Sequence, residues 1–197
     1  MEEWSKQILP NHQIFLLNDF LTDDFCDKVR KYIDKSIEDK KTSTERHAPG
    51  SNVMSETLHL CKSNPEQTEL DKSIYNVISK LIKLLVKDFN LKIRSDSGYQ
   101  LRRINGPTRR HVDSIIYDGV LDPNNKVDGD DIRVMTVIFG LNDDYDGGEL
   151  CFPEQNVMIK LKKGQIIAFP PYWTHPHYTN DLKNNTHRYT INTWLRE

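Results

Sequence analysis

Cysteine is scarce in this chain. Cys26, Cys61 and Cys151 are scattered, odd in number and form no CxxC pair. Neither a disulfide framework nor a cysteine zinc site is expected, and each thiol reads as a small buried hydrophobe in a reducing interior. No apolar run is long enough to cross a bilayer. The opening MEEWSKQILPNHQ is acidic and polar, unlike a secretory signal. The expectation is a cytoplasmic protein with no membrane partner. Neither sign of charge dominates, since 27 Lys and Arg face 29 Asp and Glu for a net charge of −2. With no long basic block, nucleic acid is not the expected partner. Repeats and low-complexity tracts are also missing.

What is present fits a folded domain. The chain has 197 residues, 37% of them hydrophobic and 28% charged. That composition describes a globular protein, expected as one domain over residues 1–197. Residues 1–97 read as helical support. Thr22 or Asp23 caps a helix in which Phe25, Val29, Tyr32, Ile33 and Ile37 recur at helical spacing through about Glu38. Residues 39–57 read as a loop. A second helix is expected from about Pro65 to Phe89, with Leu70, Ile74, Val77, Ile78, Leu81, Leu84 and Leu85 as its buried stripe.

From about Gly98 the pattern changes to short alternating segments separated by turn residues. Strands are expected near 98–104, 108–116, 133–141, 148–152, 156–162, 165–169, 175–179 and 187–195. Eight short strands with little helix between them predict a mainly β fold, a jelly-roll or cupin-like sandwich over 98–197, buttressed by the N-terminal helices.

His111-Val112-Asp113 is the first chemically informative unit. Residues two apart on a strand face one side, so an imidazole and a carboxylate point together. They supply two of the three groups of a 2-His-1-carboxylate iron site. A second histidine is needed from a late strand, and His175-Pro176-His177 offers two. His177 is preferred, because His175 lies nearer the turn after Pro170-Pro171. His175 remains a candidate hydrogen-bonding partner or packed core residue. Such a site leaves room for a bidentate 2-oxo acid, whose far carboxylate needs a cation. Arg188 on the final strand suits it, because a guanidinium binds a carboxylate bidentately. Thr190, Asn192 and Trp194 continue that face.

These pieces together resemble the catalytic domain of prolyl 4-hydroxylase-type 2-oxoglutarate/Fe(II)-dependent dioxygenases. The matching segments are RRHVD (109–113), RVMTVIFGLNDDYDGGELCF (133–152), KKGQIIAFPPYWTHPHYT (162–179) and HRYTINTW (187–194), in the family's order. The resemblance implies a double-stranded β-helix. It also implies Fe(II) held by His111, Asp113 and His177, with 2-oxoglutarate, O2 and ascorbate as the small molecules. By the same resemblance Arg188 holds the 5-carboxylate beside Thr190, and Tyr99 assists the co-substrate. Arg133, Asn192 and Trp194 are the expected substrate contacts. The implied substrate is a proline-containing peptide or protein, and the product is 4-hydroxyproline. Asn142 is expected to be architectural. One position departs from the pattern: Gly140 stands where some prolyl hydroxylases place a carboxylate-binding tyrosine.

Three alternatives belong beside this reading. They are a hydroxylase of another residue or small molecule, a non-enzymatic binding module, and a cupin-like sandwich holding zinc or nickel. Arg188 argues against the last two, since a structural metal does not need it. The long polar stretch Ser114–Asp131 is a candidate closing element, because long loops in compact domains often cover sites. Shortening it should raise 2-oxoglutarate turnover that is not matched by substrate oxidation. Unchanged coupling and unchanged substrate affinity would refute that role.

Overall fold

The arrangement of apolar residues decides which face of each element is buried. The computed structural model describes residues 5–9, 13–46, 52–60, 65–89, 91–114 and 132–197. The first half supplies β1 (Ser5–Leu9), β2 (Ile14–Asn18), α1 (Asp23–Glu38), β3 (Ser43–Arg46), β4 (Val53–His59) and α2 (Pro65–Phe89). After the short β5 (Ser95–Asp96) come β6 (Gln100–Ile104), β7 (Thr108–His111) and β8 (Arg133–Gly140). Next are β9 (Asp146–Gly147), β10 (Leu150–Phe152), β11 (Val157–Ile159) and β12 (Ile166–Phe169). Last are β13 (His177–Thr179), β14 (Leu182–Lys183) and β15 (Arg188–Arg196). No helix among the described residues is long and apolar enough to cross a membrane.

Nine strands form one antiparallel sheet in the order β1-β2-β12-β8-β15-β6-β4-β3, with β5 also paired to β15. A smaller sheet runs β11-β10-β13-β7, and β14 pairs β9. The large sheet is buried on both faces. On β2, β8 and β12, Phe15, Leu17, Val137, Phe139, Ile166 and Ala168 face one core with Val29, Ile33, Ile74, Ile78 and Leu81 of the helices. Their neighbours Ile14, Leu16, Ile138, Ile167 and Phe169 face a second core with Leu150 and Phe152 of the small sheet. Sheet against sheet, with helices braced on the outer face, is the expected jelly roll.

The helices follow the sequence closely. Thr22 caps α1, its hydroxyl accepting from the Phe25 amide at 3.3 Å, and Asp23 and Asp24 complement the helix dipole. Residues 39–57, expected as a loop, instead contribute β3 and β4. β1 and β2 are also additional to the expected strands. β2 reads IFLLN, apolar at consecutive positions because both of its faces are covered, so it shows no alternation. β3 reads STER, polar throughout, because it is the last strand of the sheet. Of the expected loop Ser114–Asp131, all but Ser114 lies outside the described residues, as does Cys61.

Gly140 ends β8 under tight packing. A Cβ there would strike the Lys162 carbonyl oxygen and lie 2.9 Å from Leu161 Cγ. The position therefore cannot take a tyrosine without moving the 161–162 backbone. Gly140→Ala should destabilise the fold by about 1–3 kcal/mol, the usual range for overpacking. A urea denaturation midpoint equal to that of the parent would refute this packing.

Candidate active site

β7 and β13 pair with His111 opposite His177 and Thr108 opposite Thr179. The two threonine hydroxyls lie 2.9 Å apart, and each also accepts the other's backbone N–H, at 2.9 and 3.0 Å. That reciprocal clamp fixes the register and sets the two imidazole rings 4.4 Å apart. Asp113 follows the end of β7. Its N–H and that of Ser114 donate to the Pro171 carbonyl at 3.1 and 2.8 Å. Arg133 Nη1 donates to the Asp113 carbonyl at 2.7 Å. The chain around the carboxylate is thus held from both sides.

The ligand atoms of His111, Asp113 and His177 all lie within 4.8 Å of one another. His111 Nε2 is 3.3 Å from Asp113 Oδ1, and His177 Nε2 is 3.6 Å from Asp113 Oδ2. Each Nδ1 faces a backbone carbonyl, Arg109 at 2.8 Å and His175 at 3.1 Å, respectively. A carbonyl only accepts, so each ring keeps its Nδ1 proton. When neutral, both rings turn Nε2 lone pairs toward the carboxylate. Two imidazole nitrogens and one carboxylate in this arrangement suit a non-haem Fe(II).

The electrostatics agree. Burial acts to raise the Asp113 carboxyl, but the His111 hydrogen bond, the His177 charge and the Thr136 hydroxyl bring it down to about 2. His111 is raised, chiefly by its hydrogen bond to Asp113, whereas burial lowers His177. The carboxylate is ionised throughout the neutral range, ready for a cation.

These groups line a cavity of about 580 Å³ that also holds Arg188, Thr190, Asn192 and Trp194. Arg188 is buried. Its Nη1 donates to the Gly148 carbonyl at 2.5 Å, and its Nε has no partner among the described residues. Desolvation pulls its proton affinity down to about 10. A buried cation without a counter-charge is a costly arrangement, and a carboxylate would complete it. Thr190 Oγ1, Asn192 Oδ1 and Trp194 Nε1 are likewise buried without partners among the described residues. The donors therefore fit a metal at one part of the cavity and an anion at another. Asn142 holds Arg188 in place. Its Oδ1 accepts from the Tyr189 amide at 2.7 Å, and its Nδ2 donates to the His187 carbonyl at 2.9 Å, so it grips the backbone on both sides of the arginine.

Most of the expected residues line this cavity; Tyr99 and Arg133 do not. Tyr99 is buried in the helix-facing core, and its hydroxyl donates to Asp96 Oδ2 at 3.0 Å. Its expected role beside the co-substrate is thereby corrected. His175 stays outside the triad, bonded through Nδ1 to Thr174 Oγ1 at 2.9 Å, and orients His177 through its carbonyl. Arg133 stacks over the Trp194 ring at 4.1 Å. Sequence reasoning missed Thr136, which donates to Asp113 Oδ2 at 2.8 Å, and Arg102, which also lines the cavity. Period-two alternation along β8 puts Thr136 on the Ile138 face, a usable signal that a lone threonine did not advertise.

Residues 99–196 match the profile described as the 2OG-Fe(II) oxygenase superfamily. The chain is 21% identical over 199 residues to a protein of Acanthamoeba polyphaga mimivirus provisionally named a prolyl 4-hydroxylase, across 95% of this chain and 76% of the relative. The fold is similar to that of a Trichoplax adhaerens prolyl hydroxylase solved with a peptide fragment of the hypoxia inducible factor oxygen degradation domain. The TM-score is 0.72 at 19% identity, over 95% of this chain and 85% of that one. It is also similar to a Pseudomonas putida prolyl-4-hydroxylase, with TM-score 0.69 and 15% identity over 96% and 95% of the two chains.

Thr136→Val removes one hydroxyl at nearly constant shape. Affinity for Mn(II), a paramagnetic stand-in for Fe(II), should fall about 10–100-fold, the usual effect of losing a ligand's hydrogen-bond partner. Electron paramagnetic resonance titration checks this, and unchanged affinity would refute the Asp113–Thr136 contribution.

Proposed function

The chain belongs, through residues 99–196, to the 2OG-Fe(II) oxygenase superfamily, and we propose that it hydroxylates a prolyl residue of a peptide or protein at C4. The observation that carries the reading is the cavity itself. Three convergent ligand atoms share it with a buried arginine that has no ion-pair partner among the described residues. The prolyl assignment rests on the named relatives, and the reaction class on the family.

In this reading His111, Asp113 and His177 hold Fe(II). Arg188 takes the 5-carboxylate of 2-oxoglutarate, with the Thr190 hydroxyl beside it. Bound Fe(II) supplies the oxidative chemistry by which 2-oxoglutarate, O2 and a C–H bond become succinate, CO2 and an alcohol. The protein's part is position. Each histidine keeps its Nδ1 proton, donated to a backbone carbonyl, which leaves Nε2 as the atom for the metal; any proton that Asp113 holds on His111 Nε2 would be displaced by the metal. Thr136 keeps one carboxylate oxygen turned away from rotation. Leu150, Leu161 and Ile138 line the cavity with apolar surface and limit water. Asn192 and Trp194, which line the cavity, would meet the peptide, with Arg133 stacked behind the Trp194 ring. Ascorbate serves as the reductant that maintains Fe(II). Among the described residues Cys26 and Cys151 are free thiols, which suits a reducing compartment such as the cytoplasm.

The test is succinate formation from 2-oxoglutarate with Fe(II), ascorbate and a panel of proline-rich peptides, followed by mass spectrometry of each peptide. A gain of one oxygen on proline, lost in His177→Ala and Arg188→Ala, is the expected outcome. Oxidation of a different residue would move the substrate assignment. Iron binding with no succinate would favour a binding module.

A further inference from the structure

Besides Arg188 the cavity is lined by Arg46, Arg102 and Arg109, of which Arg46 and Arg109 are exposed and Arg102 is not. Arg102 lies on β6 directly beside Thr190 of β15 in the ladder, and it lines the same cavity as Arg188 and the three ligand residues. Its side chain is 12% exposed. Nη2 donates to Glu45 Oε2 at 2.5 Å and to Ser55 Oγ at 3.0 Å, while Nε is buried without a partner among the described residues. Glu45 stands on β3, the last strand of the sheet, and its side chain is 43% exposed. The two ends of this ion pair are thus unequal. Arg102 is fixed in the sheet, whereas Glu45 can return to water at little cost.

Charge balance makes the pair informative. The acids lining the cavity are Asp113, which belongs to the metal site, and Glu45. The two guanidiniums withdrawn from solvent, Arg188 and Arg102, therefore have one lining carboxylate outside the metal site, the partly exposed Glu45. A dicarboxylate entering the cavity is attracted by both cations, and a guanidinium can receive a carboxylate through two parallel N–H bonds.

We propose that Arg102 is a second anion-binding residue of the cavity, and that Glu45 is its internal competitor, displaced when 2-oxoglutarate binds. This rests on the reading of the cavity as a 2-oxoglutarate site. It assigns β3 a part in co-substrate binding, because the Glu45–Arg102 contact is given up as the pocket fills while the β3–β4 ladder remains.

Calorimetric titration of 2-oxoglutarate into the Mn(II)-loaded protein tests it without turnover. Glu45→Gln should bind about threefold to tenfold tighter, the effect of removing a weak, partly exposed competing pair. Arg102→Gln should bind at least about tenfold more weakly, as expected for loss of a charge-assisted contact, with Arg102→Lys between it and the parent. Mn(II) affinity should match the parent in all three, which reports an intact fold. Were Arg102→Gln unable to fold, Glu45→Gln alone would decide. Parent-like or weakened binding in Glu45→Gln would overturn the proposal and leave the pair as a strut. Absence of 2-oxoglutarate binding in the parent would overturn the reading of the cavity itself.

Discussion

The register between β7 and β13 is the constraint on which the site depends. A slip of one residue would send His111 to the opposite face of its strand and break the triad. The Thr108–Thr179 clamp opposes that slip with four polar atoms satisfying one another across two short strands. Strands this short have little ladder of their own. A side-chain lock therefore does work that length would do elsewhere. Phe152 and Phe169 pack against His177, with ring centroids 5.7 and 4.8 Å away, so the second histidine is also held by shape.

The large sheet supplies the rest. Its outer face is covered by α1 and α2, so its inner face can carry polar groups without losing the core. This division explains why β15 can present Arg188, Thr190 and Asn192 to a cavity while Tyr189, Ile191 and Leu195 pack outward. Tyr189 adds a further tie, its hydroxyl donating to Asp34 of α1 at 2.6 Å while Arg30 stacks over its ring at 4.7 Å. The helices thereby steady the strand that carries Arg188, although none of their described residues lines the cavity.

Much of this was legible in the sequence where period and chemistry coincide. Both helices show clear amphipathic spacing, and Thr22 marks the start of the first. His111, Asp113, His177 and Arg188 combine rare residue types with strand alternation. The preference for His177 over His175 came from its distance from the Pro170-Pro171 turn, and the β13–β7 pairing adds the physical reason, setting His177 opposite His111. β2 escaped notice because two-sided burial erases alternation, and β3 because an exposed edge strand has the composition of a loop. Tyr99 misled because a tyrosine near a site looks the same in sequence whether its hydroxyl faces a cavity or a neighbouring aspartate. Arg102 was invisible for the converse reason: its importance lies in a strand contributed from far away in the chain.

β3 also matters to how the molecule behaves among its own copies. A terminal strand leaves a row of backbone donors and acceptors open, and such a row is a template on which another chain can add. Glu45 and Arg46 put charge of both signs there, and Ser43 and Thr44 offer no apolar surface for a second layer. Association through that edge would have to desolvate both charges. The composition that hid the strand from sequence reading is therefore also its protection against runaway sheet growth, at an edge that forms one wall of the cavity.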